Sequence, residues 1–305
     1  MSYHIVNIDS PQADISCRKG QLSCRVDGVE RQLPLEDVAA IVITSFSARI
    51  HSHLLLEAAK NGVALIICED FKPVSLMLPA NRSSDTLLTK AALSIEKRQV
   101  ETLWRKTIDA KCHNQWVCAQ ALNPAAVNLK RLEKTAEGRS QHKESTCSRL
   151  YWDIYRETLA DSSFNRKRDA GGLNDLLNYG YAVLLSTVLQ KLFAVGLDPT
   201  LGIGHEIRER SSPLAYDLME PFRPCVDWRV AAWVLQQAEF HDYRITGAFR
   251  RYITGFTVEK VGYFGLELSI QNCIESVVRS FRKAVLHKEV RHYKPWTQKN
   301  LRWDG

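Results

Sequence analysis

PANRSSDTLLTKAALSIEKRQVETLW, residues 79–104, is where the chain changes character. Pro79 and Asn81 favour a loop. Ser83, Ser84 and Asp85 carry side-chain oxygens that can accept from the free N–H groups of a helix start. From Thr86 onward apolar residues recur every third or fourth position, with charges between them, as far as Leu122. That is the period of a helix buried along one face. Upstream the pattern is that of strands. Tyr3–Ile8 alternates loosely, and Leu22–Val26 and Val29–Leu33 flank Asp27-Gly28, a pair suited to a type I′ hairpin turn. Val38–Thr44 (VAAIVIT) and Val63–Cys68 (VALIIC) are short, apolar and rich in β-branched residues, as buried strands are. Between them His51–Lys60 reads as a short helix ended by Asn61-Gly62, where glycine supplies the left-handed cap.

The expected fold class is therefore α+β, with a β-rich N-terminal domain and a larger all-α domain after it. The expected boundaries are a β-rich unit over 1–79, a linker over 80–85, a helical domain over 86–290 and a basic, aromatic tail over 291–305. Helices are expected at Leu87–Leu122, Ala126–Lys134, Glu144–Leu159, Leu173–Val195, Pro213–Glu220, Val226–Ala238 and Leu266–Leu286. The tail, RHYKPWTQKNLRWDG, is expected to be poorly ordered, though its cations and tryptophans could also stack on bases or bind a partner.

Composition narrows the class. The 305 residues suffice for two domains with real cores. Lys and Arg outnumber Asp and Glu by 41 to 34, a lean toward polyanionic partners. None of the eight cysteines is spaced as C-x-x-C, which disfavours a zinc ribbon or a redox pair. The first residues lack a signal-peptide pattern, and no apolar run reaches the ~18 residues of a membrane span. A cytoplasmic protein with reduced thiols is expected.

The segment richest in chemistry is Gly202–Asp227, GIGHEIRERSSPLAYDLMEPFRPCVD. His205 closes a Gly-flanked turn. Asp217 and Glu220 share a face if Leu214–Glu220 is helical. Arg223 follows on a Pro-bounded stretch. Carboxylates with an imidazole suit Mg²⁺ or Mn²⁺, and an arginine suits a phosphate. The same spacing is equally that of an ordinary solvated helix face. Glu144 opens the segment ESTCSRLYW, where a first-turn acid also has a bland reading through the helix dipole. Arg166, Lys167 and Arg168 form a basic run that could meet phosphate or simply solvent. Asn178 and Tyr179 lie in the following helix.

Three stretches, LNYGYAVL (Leu177–Leu184), the GIGH turn and DLMEPFRPCVD, occur in this order in CRISPR adaptation integrases, the "Cas one" family, which the chain resembles along its whole length. Glu144, seven residues before Tyr151, resembles the family's E-x₆-[YL] helix start. The resemblance implies a metal-dependent DNA endonuclease and integrase that inserts short duplexes into a repeat array by 3′-hydroxyl transesterification. It implies Glu144, His205 and Glu220 as catalytic metal ligands for Mg²⁺ or Mn²⁺. Asp217 becomes a nearby acid, Arg223 a phosphate contact, and Asn178 and Tyr179 residues that line or support the site. Backbone contacts to DNA would come from Arg166, Lys167, Arg168, Arg208, Arg210, Arg250 and Arg251. His142 and Glu206 are neighbouring alternative ligands. The implied partners are double-stranded DNA (prespacer and repeat), a second copy through the β domain, and the small "Cas two" adaptation protein, with no membrane. Glu at position 220 resembles the branch found beside single-effector systems. The competing expectation is a DNA-binding scaffold without catalysis.

Overall fold

The computed structural model describes residues 4–69, 72–77, 86–167, 170–205, 212–237 and 243–298. In chain order its first elements are β1 (His4–Ile8), β2 (Asp14–Arg18), β3 (Gln21–Val26), β4 (Val29–Pro34), β5 (Val38–Ile43), β6 (Arg49–Ile50), α1 (Ser52–Lys60), β7 (Ala64–Glu69) and β8 (Lys72–Met77). One sheet has the order β1-β5-β7-β8, parallel except for the antiparallel β8. The other has the order β4-β3-β2-β6, with β6 parallel to β2. The Asp27-Gly28 hairpin forms as expected, both residues taking the positive φ (49° and 81°) that a type I′ turn needs. Gly62 likewise has φ of 74° at the end of α1.

The apolar runs of β5 and β7 have a direct cause. Ile41, Ile43 and Leu65 face a core shared with Ile15, Leu22, Leu35 and Leu54. Val42, Ile66 and Cys68 face the other way and are covered by Phe193 and Ala194. A strand covered on both faces cannot alternate with polar residues. By its contacts the chain divides into two compact units, Met1–Ser94 with Leu189–Pro199, and Ile95–Val188 with Thr200–Gly305. The expected linker, 80–85, lies outside the described residues.

The helical part comprises α2 (Thr86–Leu93), α3 (Lys97–Leu122), α4 (Leu129–Glu137), α5 (Lys143–Thr158), α6 (Leu173–Ala194), α7 (Pro213–Met219), α8 (Arg223–Leu235) and α9 (Gly247–Thr254), then β9 (Lys260–Tyr263), β10 (Leu266–Ser269) and α10 (Ile270–His287). A short 3-10 turn, Glu220–Phe222, joins α7 to α8.

Three differences from the sequence expectation have local causes. The helix expected over Leu87–Leu122 is broken in two. The Ser94 hydroxyl donates to the Lys90 carbonyl (2.6 Å), and the Gln99 side chain accepts the Glu96 N–H (3.2 Å) to start α3 afresh. The helix expected from Leu266 begins instead at Ile270, because Leu266–Ser269 pairs with β9 and Ser269 then caps α10. The helical unit thus contains one hairpin.

The third difference is the tail. It was expected to be loose, yet it is packed as far as Gln298. Tyr293 and Trp296 are wholly buried. Trp296 stacks on Phe222 (5.1 Å between centroids), and its indole N–H donates to the Gly262 carbonyl (3.1 Å). Asn114 donates to the Pro221 and Trp296 carbonyls and accepts the Gln298 N–H. Burial of two large rings supplies the apolar free energy that charge counting overlooks. Of the eight cysteines all but Cys24 are buried, as core residues would be. No helix among the described residues is long and apolar enough to cross a membrane.

Candidate active site

Four elements of the helical unit meet around two carboxylates. Glu144 sits in the first turn of α5 and Glu220 opens the 3-10 turn after α7. The α5 start is tied to α3 by two crossed ion pairs, Lys111 Nζ to Glu144 Oε1 (2.8 Å) and Lys143 Nζ to Asp109 Oδ1 (2.6 Å). Lys111 Nζ also lies 2.7 Å from Glu220 Oε2, so one ammonium bridges the two acids. Arg223 Nε approaches the other Glu220 oxygen at 2.8 Å. Glu220 Oε2 and Arg223 Nε are buried and lie off the direction of a good hydrogen bond, so charge more than hydrogen bonding holds these contacts.

Burial would raise the Glu220 carboxyl, but Arg223 and Lys111 together hold it at about 2. Burial would likewise strip the Lys111 proton, and Glu220 and Glu144 outweigh it, keeping the amine above its ordinary value. Both partners are therefore charged.

His205 is set by a different acid. Asp217, on α7 with its side chain fully buried, accepts the N–H groups of Ile203 (2.5 Å), Gly204 (3.0 Å) and His205 (2.9 Å), and lies 2.7 Å from His205 Nδ1. The GIGH turn thus wraps its amides around one carboxylate, a small anion nest. The turn needs its glycines for space. A Cβ on Gly204 would fall 2.3 Å from the Trp104 ring, and one on Gly202 would fall 2.7 Å from Pro213. Trp104 and Tyr216 flank the imidazole at 5.8 and 5.9 Å between ring centroids. The bond to Asp217 raises the His205 pKa against the effect of burial. With Nδ1 committed to a carboxylate, Nε2 is the nitrogen left for a ligand, the arrangement usual for metal-binding histidines.

Among the described residues, no three His, Cys, Asp or Glu side chains are drawn close enough to form a metal cage by themselves. The donors nevertheless fit a hard divalent cation. Two carboxylates from different helices already converge on one cation, one of their oxygens is buried without a hydrogen bond, and an oriented imidazole feels the same Glu220 charge. Asp217, with four N–H partners, is the histidine's anchor and not a spare ligand.

The other expected residues are placed as follows. Arg223, expected at the substrate phosphate, is engaged with Glu220 and lies over the Tyr181 ring (4.7 Å). Arg166 donates to Asn174 and Asn178 and also reaches Tyr181 (5.3 Å). Tyr179 packs on Phe249, with Arg250 over its ring. Lys167 and Arg251 are exposed. His142 is the cap residue of α5. Arg168, Glu206, Arg208 and Arg210 lie outside the described residues.

Sequence reading missed three groups. Lys111 lies on α3, where Thr107, Asn114 and Gln115 are also buried; polar residues within an apolar stripe were the available signal. Tyr181 lies on α6, where its hydroxyl donates to Asp227. Asp227 ends the DLMEPFRPCVD string and accepts from the Tyr151 hydroxyl (2.9 Å) and from the Tyr181 hydroxyl. It is a buried acid behind the site, raised to about 6 by burial against those two donors.

The model of the family described as CRISPR associated protein Cas1 matches residues 6–248. The chain is 28% identical over 285 residues to the CRISPR-associated endonuclease Cas1 of Neisseria meningitidis serogroup C (strain 8013), covering 92% of this chain and 91% of that protein. It is 26% identical over 314 residues to the protein of the same name from Korarchaeum cryptofilum (strain OPF8), covering 89% and 92%. Among solved structures, a chain of a partial Cas6-RT-Cas1–Cas2 complex has the same fold, with a TM-score of 0.72 at 16% identity over 97% of this chain and 99% of that one. A casposase bound to integration product has a TM-score of 0.66 at 22% identity over 98% and 100%. The chain belongs to the CRISPR associated protein Cas1 family.

Proposed function

We propose that this Cas1 protein is a divalent-metal-dependent DNA endonuclease and integrase that inserts short foreign duplexes into a CRISPR repeat array. The observation that carries the reading is the convergence of Glu144 and Glu220 on a single cation, beside a histidine oriented by Asp217. Glu144, Glu220 and His205 would hold Mg²⁺ or Mn²⁺. When bound, the ion supplies charge stabilisation at the phosphoryl oxygens and lowers the pKa of the attacking hydroxyl.

The chain's own residues do the rest. Asp217 holds the imidazole in one orientation. Arg223 and Lys111 keep Glu220 ionised inside the protein. The reaction is transesterification: the 3′-oxygen of the incoming strand bonds to phosphorus as the target strand's own 3′-oxygen leaves. One phosphodiester replaces another, so no nucleotide energy source is needed. Water in place of the hydroxyl would nick. The names of the relatives, the casposase bound to its integration product and the Cas1–Cas2 assembly support this reading.

On the same reading the partners are double-stranded DNA, a second copy through the β-rich part, and Cas2, in the cytoplasm. Glu at position 220 supports the single-effector branch. The test uses purified protein, with and without Cas2, a 3′-hydroxyl duplex and a supercoiled target, in Mn²⁺ and in EDTA. Joined product that requires metal and disappears in His205→Ala is expected. Duplex binding without joining, unchanged by the substitution even with Cas2 present, would leave a scaffold as the better account.

A further inference from the structure

Lys111 stands where a metal would have to go. Its ammonium touches Glu144 Oε1 and Glu220 Oε2 at 2.8 and 2.7 Å, and its side chain is only 12% exposed. Glu220 is 4% exposed and has Arg223 on its other oxygen. The two acids and two bases form a charge-neutral group that is buried at Glu220 and Lys111 and open to solvent at Glu144, whose side chain is 41% exposed. Neutrality lets the buried Glu220 carboxylate sit near a second acid, since a buried charge is tolerated only beside a partner. It also creates a conflict. A divalent ion at the same oxygens would meet an ammonium within contact distance, leaving the group with surplus positive charge. A lysine head on a flexible four-carbon stem can withdraw, whereas the planar Arg223 fork, stacked on Tyr181, is held.

We propose that Lys111 is a tethered cation that occupies the metal position between Glu144 and Glu220 and must be displaced for the divalent ion to bind, so that it sets the protein's metal affinity. The inference rests on the metal-site reading above. The lysine acts through the carboxylates as a positioning residue. It holds the two carboxylates together and makes the ion a competitor for them.

The test measures Mn²⁺ binding directly, by calorimetry and by the spin-resonance signal of free Mn²⁺, without DNA. Wild type, Lys111→Met, Lys111→Gln, Lys111→Arg and Glu220→Gln are compared. Removing the ammonium by Met or Gln is expected to tighten Mn²⁺ binding at least about tenfold and to enlarge the Mn²⁺-induced rise in melting temperature, while Arg stays near wild type. A second measurement needs no variant. Amine-directed labelling of the wild-type protein, read by mass spectrometry, should leave Lys111 unmodified in EDTA and modify it in Mn²⁺. If wild type binds Mn²⁺, Glu220→Gln does not, and the Met and Gln variants bind no tighter than wild type, the competing-cation role is wrong and the metal site stands. If neither wild type nor the Lys111 variants bind Mn²⁺, the metal site and the proposal fall together. Unchanged labelling of Lys111 between EDTA and Mn²⁺ would also overturn displacement.

Discussion

The burden on single residues is heaviest in the GIGH turn. Asp217 accepts three backbone N–H groups and meets the His205 ring, so its carboxylate fixes both the turn and the imidazole. Replacing it with Asn keeps the shape but loses the charge. Asp217→Asn is expected to lower metal affinity and strand joining by roughly 10- to 100-fold, the usual cost of an outer-shell partner, whereas His205→Ala removes joining altogether. Equal joining by Asp217→Asn and wild type would show that the carboxylate has no part in orienting the ring. Gly204 makes a steric prediction. A methyl there would overlap Trp104, so Gly204→Ala should lower the melting temperature and disturb His205. Adding Trp104→Ala should recover part of that loss, a non-additive pair. Additive losses in the double variant would count against the overlap.

At the level of elements, the turn that presents Glu220 is fixed from behind by the C-terminal segment. Trp296 stacks on Phe222, and Asn114 joins the Pro221 carbonyl to the segment's backbone. Trp296→Ala should therefore cost about 3–5 kcal/mol, as for a large buried aromatic, and it should also weaken Mn²⁺ binding through the displaced turn. Chemical denaturation and a metal titration on the same preparation separate the two effects. A variant that loses stability but binds Mn²⁺ normally would limit the segment to a packing role.

For the whole molecule, pH and charge are the coupled variables. Glu220 is lowered to about 2, below its ordinary 4.5, so its ion pairs stabilise the fold above that value and fail as pH falls toward 2. Asp227 works the other way. Its folded value of about 6 exceeds the ordinary 3.8, so the folded protein holds that proton more tightly than the unfolded chain does. Stability from Asp227 is complete below about pH 4 and is lost as pH rises through about 6. Asp227→Asn removes that loss. The melting temperature of the variant minus that of wild type should rise by a few degrees from about pH 5 to about pH 8. Parallel pH profiles would mean that Asp227 does not titrate in that range. The formal charge of +7 adds a prediction for the partner. Duplex affinity should fall steeply and log-linearly with salt if the contacts are to phosphate.

Much of this was legible because it is local. The Asp27-Gly28 turn, the two-sided apolar runs of β5 and β7 and the glycine that ends α1 follow from backbone sterics and from which faces are covered, and a short window of sequence carries that information. Glu144, His205, Asp217, Glu220 and Arg223 could likewise be picked out by motif. Their division of labour could not. Only the tertiary structure makes Asp217 the anchor of His205, turns Arg223 onto Glu220 and Tyr181, and brings Lys111 from α3 between two acids distant in sequence. The break before α3 depended on one serine hydroxyl competing with the helix backbone. The packed tail depended on a Phe222 surface that the sequence of the tail does not contain. Periodicity records which face of an element is buried; which charged groups share that burial is settled by contacts between elements, because a buried charge is tolerated only where folding delivers its partner.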